Sequence, residues 1–170
     1  PRPRELFDKY LRAVAEAIEE LHQRHGARTF LMPHSRSDRP VAEEVARRAR
    51  SGRPVLLTGD YSTDRLRDLY GEMDLFIGTR IHSALFAFSR GTPVIAIAYE
   101  KPKAYGIVGE ALGRESVLEI ETMTARDLIE KSEEILRPGR PAREEILGRW
   151  ARLKGELEDS LDELFGEDLS

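Results

Sequence analysis

The chain has 170 residues, 40% of them apolar and 34% charged, enough for one ordinary domain with a core of its own and too few for two. It has no cysteine, which excludes disulfides, thiolate nucleophiles, iron–sulfur clusters and Cys-ligated zinc; it also has no apolar run near the roughly 20 residues that cross a bilayer, and its arginine-bearing, helix-forming start lacks a secretory apolar region, so a cytoplasmic protein is expected. The 27 Lys and Arg against 31 Asp and Glu give a net charge of -4 with both signs mixed throughout, which is not the footprint of a nucleic-acid partner.

Residues 5–25 read as a helix, with Leu6, Tyr10, Val14, Ala17, Ile18 and Leu21 on one stripe and Gly26 at its end. A β-rich run over 29–32 stops at Pro33. Pro40 occupies a first helical position, and Val41, Val45 and Ala49 carry that helix to Ser51-Gly52. A second strand over 54–58, a polar loop, a short helix over 63–71 and a third strand over 74–78 follow. The spacing then predicts a helix over 83–90, a break at Gly91-Thr92-Pro93, and a fourth strand over 94–98 whose unbroken apolar character suits burial on both faces. A helix over 103–112, a fifth strand over 116–120, a helix over 124–136 and a long terminal helix over 141–165 complete the chain.

Strands alternating with helices across short connections predict an α/β fold: a doubly wound, Rossmann-like parallel sheet with helices on both faces. In such sheets ligands bind outside the carboxyl ends of the strands. The polar residues gather in those loops: His34, Ser35, Arg36 and Asp38 after the first strand, Asp60, Tyr61 and Ser62 after the second. Thr79, Arg80, His82 and Ser83 follow the third, and Tyr99, Glu100, Lys101 and Lys103 the fourth. The histidines, lysines and arginines among them make a cationic pocket.

The sharpest segment is Gly78-Thr79-Arg80-Ile81-His82-Ser83, which leaves a strand and enters a helix, so free backbone N–H groups and the positive end of the helix dipole meet there. In a helix Arg80 and His82 would diverge by about 200 degrees. Regular helix is therefore expected to begin at or just after His82, with Ile81 turned inward alongside Leu85 and Phe88. Blander readings stay open: Arg80 paired with a surface carboxylate, His82 capping the helix, His34 satisfying loop backbone, Tyr99 in the core. His22 and His25 complement the end of the first helix rather than building a metal site. The paired acids Glu19/Glu20, Glu133/Glu134 and Glu144/Glu145 read as solvated helix faces. No Gly-x-Gly-x-x-Gly, Walker A, His-Glu-x-x-His or Gly-x-Ser-x-Gly occurs, and Asp38 and Asp60 fall short of a hard-cation site. A metal-free anion pocket without a cofactor is expected.

The run Asp74-Leu75-Phe76-Ile77-Gly78-Thr79-Arg80-Ile81-His82-Ser83, followed by Phe86-Ala87, Gly91-Thr92-Pro93-Val94-Ile95-Ala96-Ile97, Tyr99 and Lys103, resembles the carboxyl-terminal half of a polysaccharide pyruvyl transferase. Pro33-His34 with Asp38 is similar to an earlier loop of that family, and the likeness covers residues 29–113, weakening in the terminal helices. It implies one half of a GT-B-like enzyme, in which two Rossmann-like domains face each other across a cleft. The whole chain is then a single carboxyl-terminal donor-binding domain, isolated or trimmed from a missing N-terminal domain, with the 141–165 helix packing on either one.

The family reaction that the resemblance implies moves the enolpyruvyl carbons of phosphoenolpyruvate, the donor substrate, onto two hydroxyls of one sugar as a ketal. The acceptor would be a glycan or lipid-linked sugar of a cell-surface polysaccharide. Arg80 and His82 are the expected catalytic residues, Arg80 binding the anion and His82 binding it or moving protons; His34, Ser83, Tyr99 and Lys103 join them in substrate binding. An alternative is the nucleotide-sugar half of a GT-B glycosyltransferase or epimerase, but such enzymes often carry a ribose-binding Glu where this chain has Phe86. Another is a non-catalytic anion-binding or interaction module docking through the terminal helix, whose Ile146, Trp150, Leu153, Leu157, Leu161 and Leu164 are more simply explained by packing on the domain itself.

Overall fold

In the computed structural model, residues 3–99, 104–137 and 143–165 are described. Their elements follow the expected alternation. Helix α1 (Pro3–His25) leads to β1 (Phe30–Leu31), α2 (Arg39–Arg48), β2 (Val55–Leu56), α3 (Thr63–Gly71), β3 (Phe76–Gly78), α4 (Ile81–Ser89) and β4 (Val94–Ala98). A widened, π-helical turn over Ala104–Gly109 and the short helix α5 (Glu110–Leu112) come next, then β5 (Val117–Glu119), α6 (Ala125–Leu136) and α7 (Arg143–Phe165).

All strand pairs are parallel, as an α/β fold requires, but they form two ladders. One joins β1 to β2; the other runs β3-β4-β5, with Phe76 beside Val94, Gly78 beside Ala96 and Ala96 beside Val117. Except for β4, the strands are shorter than their apolar runs. Pro33, Pro54 and Pro93 have no N–H to contribute, so pairing stops beside them; Phe76 N–H still reaches the Pro93 carbonyl at 2.8 Å. The expected regular helix over 103–112 opens into the wider turn where Gly106 and Gly109, poor α-helix formers, fall.

Strand β4 is the spine of the molecule, buried at all five residues. Its side chains alternate. Val94, Ala96 and Ala98 join Tyr70 of α3, Ala84, Ala87 and Phe88 of α4 and Ile146 of α7 in one core cluster. Ile95 and Ile97 join Ala13, Ala17 and Leu21 of α1 and Leu128 and Ile129 of α6 in the other. Helices therefore cover both faces, the doubly wound arrangement.

Local signals close the helices where the sequence places them. Ser62 caps α3 by accepting from Arg65 N–H at 3.3 Å, and Thr124 and Asp127 form a reciprocal capping box on α6. The end of α4 is tighter. Gly91 N–H bonds the Phe88 carbonyl at 2.9 Å and Thr92 N–H the Ala87 carbonyl at 3.0 Å, a Schellman closure with Gly91 at φ +77°. A Cβ on Gly91 would lie 2.4 Å from Arg143 Cγ and 3.0 Å from its carbonyl, so glycine is also what lets α7 approach. The Thr92 hydroxyl, fully buried, donates to the Tyr70 carbonyl at 2.7 Å.

The amino-terminal half of α7 packs on the domain. Ile146 is buried, Trp150 and Leu153 lie against the same cluster, and the Trp150 ring meets Phe88 edge-on at 5.8 Å. The side chains of Leu157, Leu161 and Leu164 lie outside what is described. The acids expected on solvated faces hold local partners: Glu20 pairs with Arg24 at 2.6 Å, Glu145 with Arg149 at 3.1 Å, and Glu19 accepts from Ser51 N–H at 3.0 Å. His22 Nδ1–H donates to the Ala27 carbonyl at 3.0 Å, closing the end of α1, while His25 Nε2 contacts Glu133 of α6 at 2.8 Å.

Candidate functional site

A crevice of about 180 Å3 opens at the carboxyl ends of β3 and β4, lined by Gly78, Thr79, Arg80, Ile81 and His82 on one side and Ile97, Ala98 and Tyr99 on the other. It is smaller than the roughly 300–1,000 Å3 of pockets that enclose drug-sized ligands, and so suits a compact metabolite. Thr79, Arg80 and His82 reach it because β3 ends at Gly78 and α4 begins three residues later.

The helix begins at Ile81, one residue before the expected His82. Arg80, the residue before the first helical turn, keeps an extended backbone (φ -93°, ψ 115°), while His82 is already helical. The two side chains nonetheless line the same crevice. The expected condition, extended backbone through both residues, is unnecessary: a cap residue is free of the helical 100° step, so it can turn its side chain beside that of the second helical residue. The cap position belongs to Arg80 and not to His82, and the Arg80 side chain makes no cap hydrogen bond. Ile81 packs against the core, as the inward reading required.

Arg80 has a carboxylate partner. Its Nη2 lies 2.5 Å from Asp38 Oδ1 and 3.4 Å from the Ser35 hydroxyl, and Asp38 Oδ2 in turn accepts from Ser35 N–H at 3.0 Å. Burial pushes the Asp38 carboxyl up, but the hydrogen bonds from Arg80 and Ser35 overcome it and hold the group below its ordinary range. The same pairing with Asp38, with a smaller contribution from Tyr99, raises Arg80, which stays charged. Both recorded bonds use Nη2; among the described residues Nη1 and Nε have no partner, and 43% of the side chain is exposed. The pairing thus fixes the guanidinium while leaving the Nε and Nη1 donors for an anion.

The other expected residues fall around this centre. His34 is exposed after β1, and its Nδ1 lies 3.2 Å from the hydroxyl of Ser83, which is itself buried. Tyr99 lines the crevice and is 56% exposed, which removes it from the core. Lys103 lies outside the described residues, as do Glu100 and Lys101. The loop after β2 serves to cap α3 through Ser62. One contributor was not expected in its role: Asp38 is recognisable as a loop residue but not as the partner of an arginine 42 positions on. Among the described residues no three or more His, Asp or Glu converge as a metal site would need.

A larger crevice of about 640 Å3 lies between α1 and α6, far from this chemistry, lined by Glu16, Glu19, Glu20, Arg24, Arg126 and Glu130 among others. Most of these charges are already matched within the helices, Arg24 by Glu20 and Arg126 by Glu130.

No helix among the described residues is long and apolar enough to cross a membrane. No curated protein and no solved structure matches the chain. The family model described as polysaccharide pyruvyl transferase matches residues 1–101. The match takes in α1, where the resemblance read from motifs was weak, and ends before Lys103, so the likeness expected over 102–113 has no counterpart in it. It contains the whole of β1 to β4 and every described residue of the crevice. Over more than half its length, then, and through the segment that carries Arg80 and His82, the chain belongs to the polysaccharide pyruvyl transferase family.

Proposed function

We propose that the crevice at the ends of β3 and β4 binds phosphoenolpyruvate as the donor for a pyruvyl ketal, built on a glycan or lipid-linked sugar destined for a cell-surface polysaccharide. The observation that carries this reading is the pairing of an anchored guanidinium, whose Nε and Nη1 have no partner among the described residues, with an imidazole in one small crevice. Phosphoenolpyruvate presents a phosphate and a carboxylate on three carbons, and either accepts charge-assisted hydrogen bonds from a guanidinium.

In this reading Arg80 grips one anionic group and the first turn of α4 faces the other with its free N–H groups. A proton goes to the methylene carbon, leaving positive charge shared between C2 and the enol oxygen. A sugar hydroxyl adds to C2 as its own proton passes to a base. The C2–O bond to phosphate then breaks and a second hydroxyl of the same sugar closes the ketal, losing its proton in turn. Histidine exchanges protons near neutral pH, which suits His82 to one of these transfers. His34, Ser83, Tyr99 and Lys103 complete the donor site. No cofactor is required, and a donor drawn from central metabolism places the reaction in the cytoplasm. The open side of the crevice would face a second Rossmann-like domain that holds the acceptor, in a GT-B-like arrangement.

Two features weigh against the rival readings. Phe86, where a nucleotide-sugar enzyme would carry its ribose-binding acid, packs against the core. The first half of α7 spends its apolar face on the domain, where a docking module would leave it free.

Calorimetric titration of phosphoenolpyruvate tests the proposal. The unaltered chain should bind, Arg80→Ala should weaken binding about 10- to 100-fold and His82→Ala about 10-fold. Equal binding by all three, or stabilisation by UDP or GDP but not by phosphoenolpyruvate, would overturn it.

A further inference from the structure

A guanidinium holds its N–H groups in one plane, and they form two edges that can each give two parallel bonds to a carboxylate or phosphate. One edge joins Nε to Nη2 and the other joins Nη1 to Nη2, so Nη2 belongs to both. In Arg80 it is Nη2 that is taken: Asp38 Oδ1 lies 2.5 Å from it and the Ser35 hydroxyl 3.4 Å. The donors left over, Nε and Nη1, do not share an edge, so each meets an anion by itself.

The acceptor is itself held. Asp38 Oδ2 accepts from Ser35 N–H at 3.0 Å, Asp38 N–H donates to the Ser35 carbonyl at 3.0 Å, and the Ser35 hydroxyl contacts that of Ser37 at 2.7 Å. Asp38 stands at the cap position of α2, where an aspartate commonly accepts from the first helical turn, yet its side chain makes no cap bond. Its two oxygens go to Ser35 and to Arg80 instead. A helix cap is given up for a contact at the crevice.

From this we propose that Asp38, steadied by Ser35, is a positioning residue that withholds Nη2 and keeps Arg80 a donor of single bonds rather than a two-bond clamp. The proposal rests on the phosphoenolpyruvate reading for the ligand that Arg80 meets. A looser grip has a use in that reaction, because the same guanidinium must let go of the phosphate that is released, and a second bond would hold it about ten-fold more tightly.

Lysine distinguishes the two kinds of grip, since an ammonium carries the charge without the paired edge. The experiment is a double-mutant cycle read by calorimetric titration of phosphoenolpyruvate and, separately, of inorganic phosphate. The four proteins are the unaltered chain, Arg80→Lys, Asp38→Ala and the double variant. With Asp38 present, Arg80→Lys should weaken binding by no more than about three-fold. Asp38→Ala should tighten the binding of both anions by about ten-fold or more, and adding Arg80→Lys to it should then cost about ten-fold. Loss of the Asp38 charge acts alike on arginine and lysine, so the difference between the two lysine costs isolates the second bond. Asp38→Ser, whose hydroxyl can cap α2, is a second way of freeing Nη2 and should repeat the result. A lysine cost that is the same with and without Asp38, or an Arg80→Lys that loses as much as Arg80→Ala while Asp38 is present, would overturn the role of Asp38. If phosphate follows the cycle and phosphoenolpyruvate binds no more tightly than phosphate, the role of Asp38 stands and the phosphoenolpyruvate reading fails. Binding of neither anion would overturn both.

Discussion

The two ends of α4 carry the two most recognisable pieces of the sequence, Arg80-Ile81-His82-Ser83 and Gly91-Thr92-Pro93, and they do opposite things. The amino end is open: Arg80 and His82 are exposed, and the crevice begins there. The carboxyl end is closed: Gly91 and Thr92 are buried, each backbone N–H has a carbonyl partner, and α7 presses against them. A single short helix thus separates residues that can act on a ligand from residues that only determine where β4 starts. Motif membership alone does not distinguish the two.

Mutations should separate them. Gly91→Ala combines a left-handed φ with contacts at 2.4 and 3.0 Å to Arg143, and should lower the unfolding free energy by about 3 kcal/mol in urea titrations. The phosphoenolpyruvate affinity of the fraction still folded should be nearly unchanged. Arg80→Ala should do the reverse, leaving stability within about 1 kcal/mol because its ion pair is half-exposed, while removing most of the binding. A stable Gly91→Ala, or an Arg80→Ala that unfolds the domain, would erase the contrast between the two ends.

The smallest effect concerns Asp38. Its carboxyl is held below the ordinary range in the folded chain, so it contributes stability that is present above about pH 4 and lost as pH falls through the lowered value. Asp38→Asn removes that contribution. At neutral pH the variant should be less stable by under about 1 kcal/mol, and the gap to the unaltered chain should close on acidification; a constant gap across pH would mean that charge is not what Asp38 supplies.

Much of this was legible beforehand because the signals are local. Alternating apolar runs gave the order of strands and helices, and the continuous stretch Val94–Ala98 identified the doubly buried strand. Pro40 marked a helix start through backbone chemistry that needs no tertiary context. Arg80 and His82 stood out because a strand-to-helix junction collects free N–H groups whatever surrounds it. What escaped was set by distance along the chain. Asp38 meets Arg80 across 42 residues and Ser83 meets His34 across 49, and no periodicity encodes such meetings. The helix start at Ile81 escaped for a different reason: Arg80 is an extended cap residue, and the 100° step between helical residues does not constrain it. The division of strands into two ladders also depends on pairings that apolar content does not specify.

That division bears on how the molecule would respond to a ligand. No backbone ladder connects β1 to β3 among the described residues, and side chains cross the interval instead: Arg80 to Asp38 and Ser35, Ser83 to His34. The residues proposed to hold the donor come from both banks of this interval. A bound anion would act as a clasp, adding a further tie between the two banks, and its effect would be felt first in the slender β1–β2 pair rather than in the broad sheet built on β4.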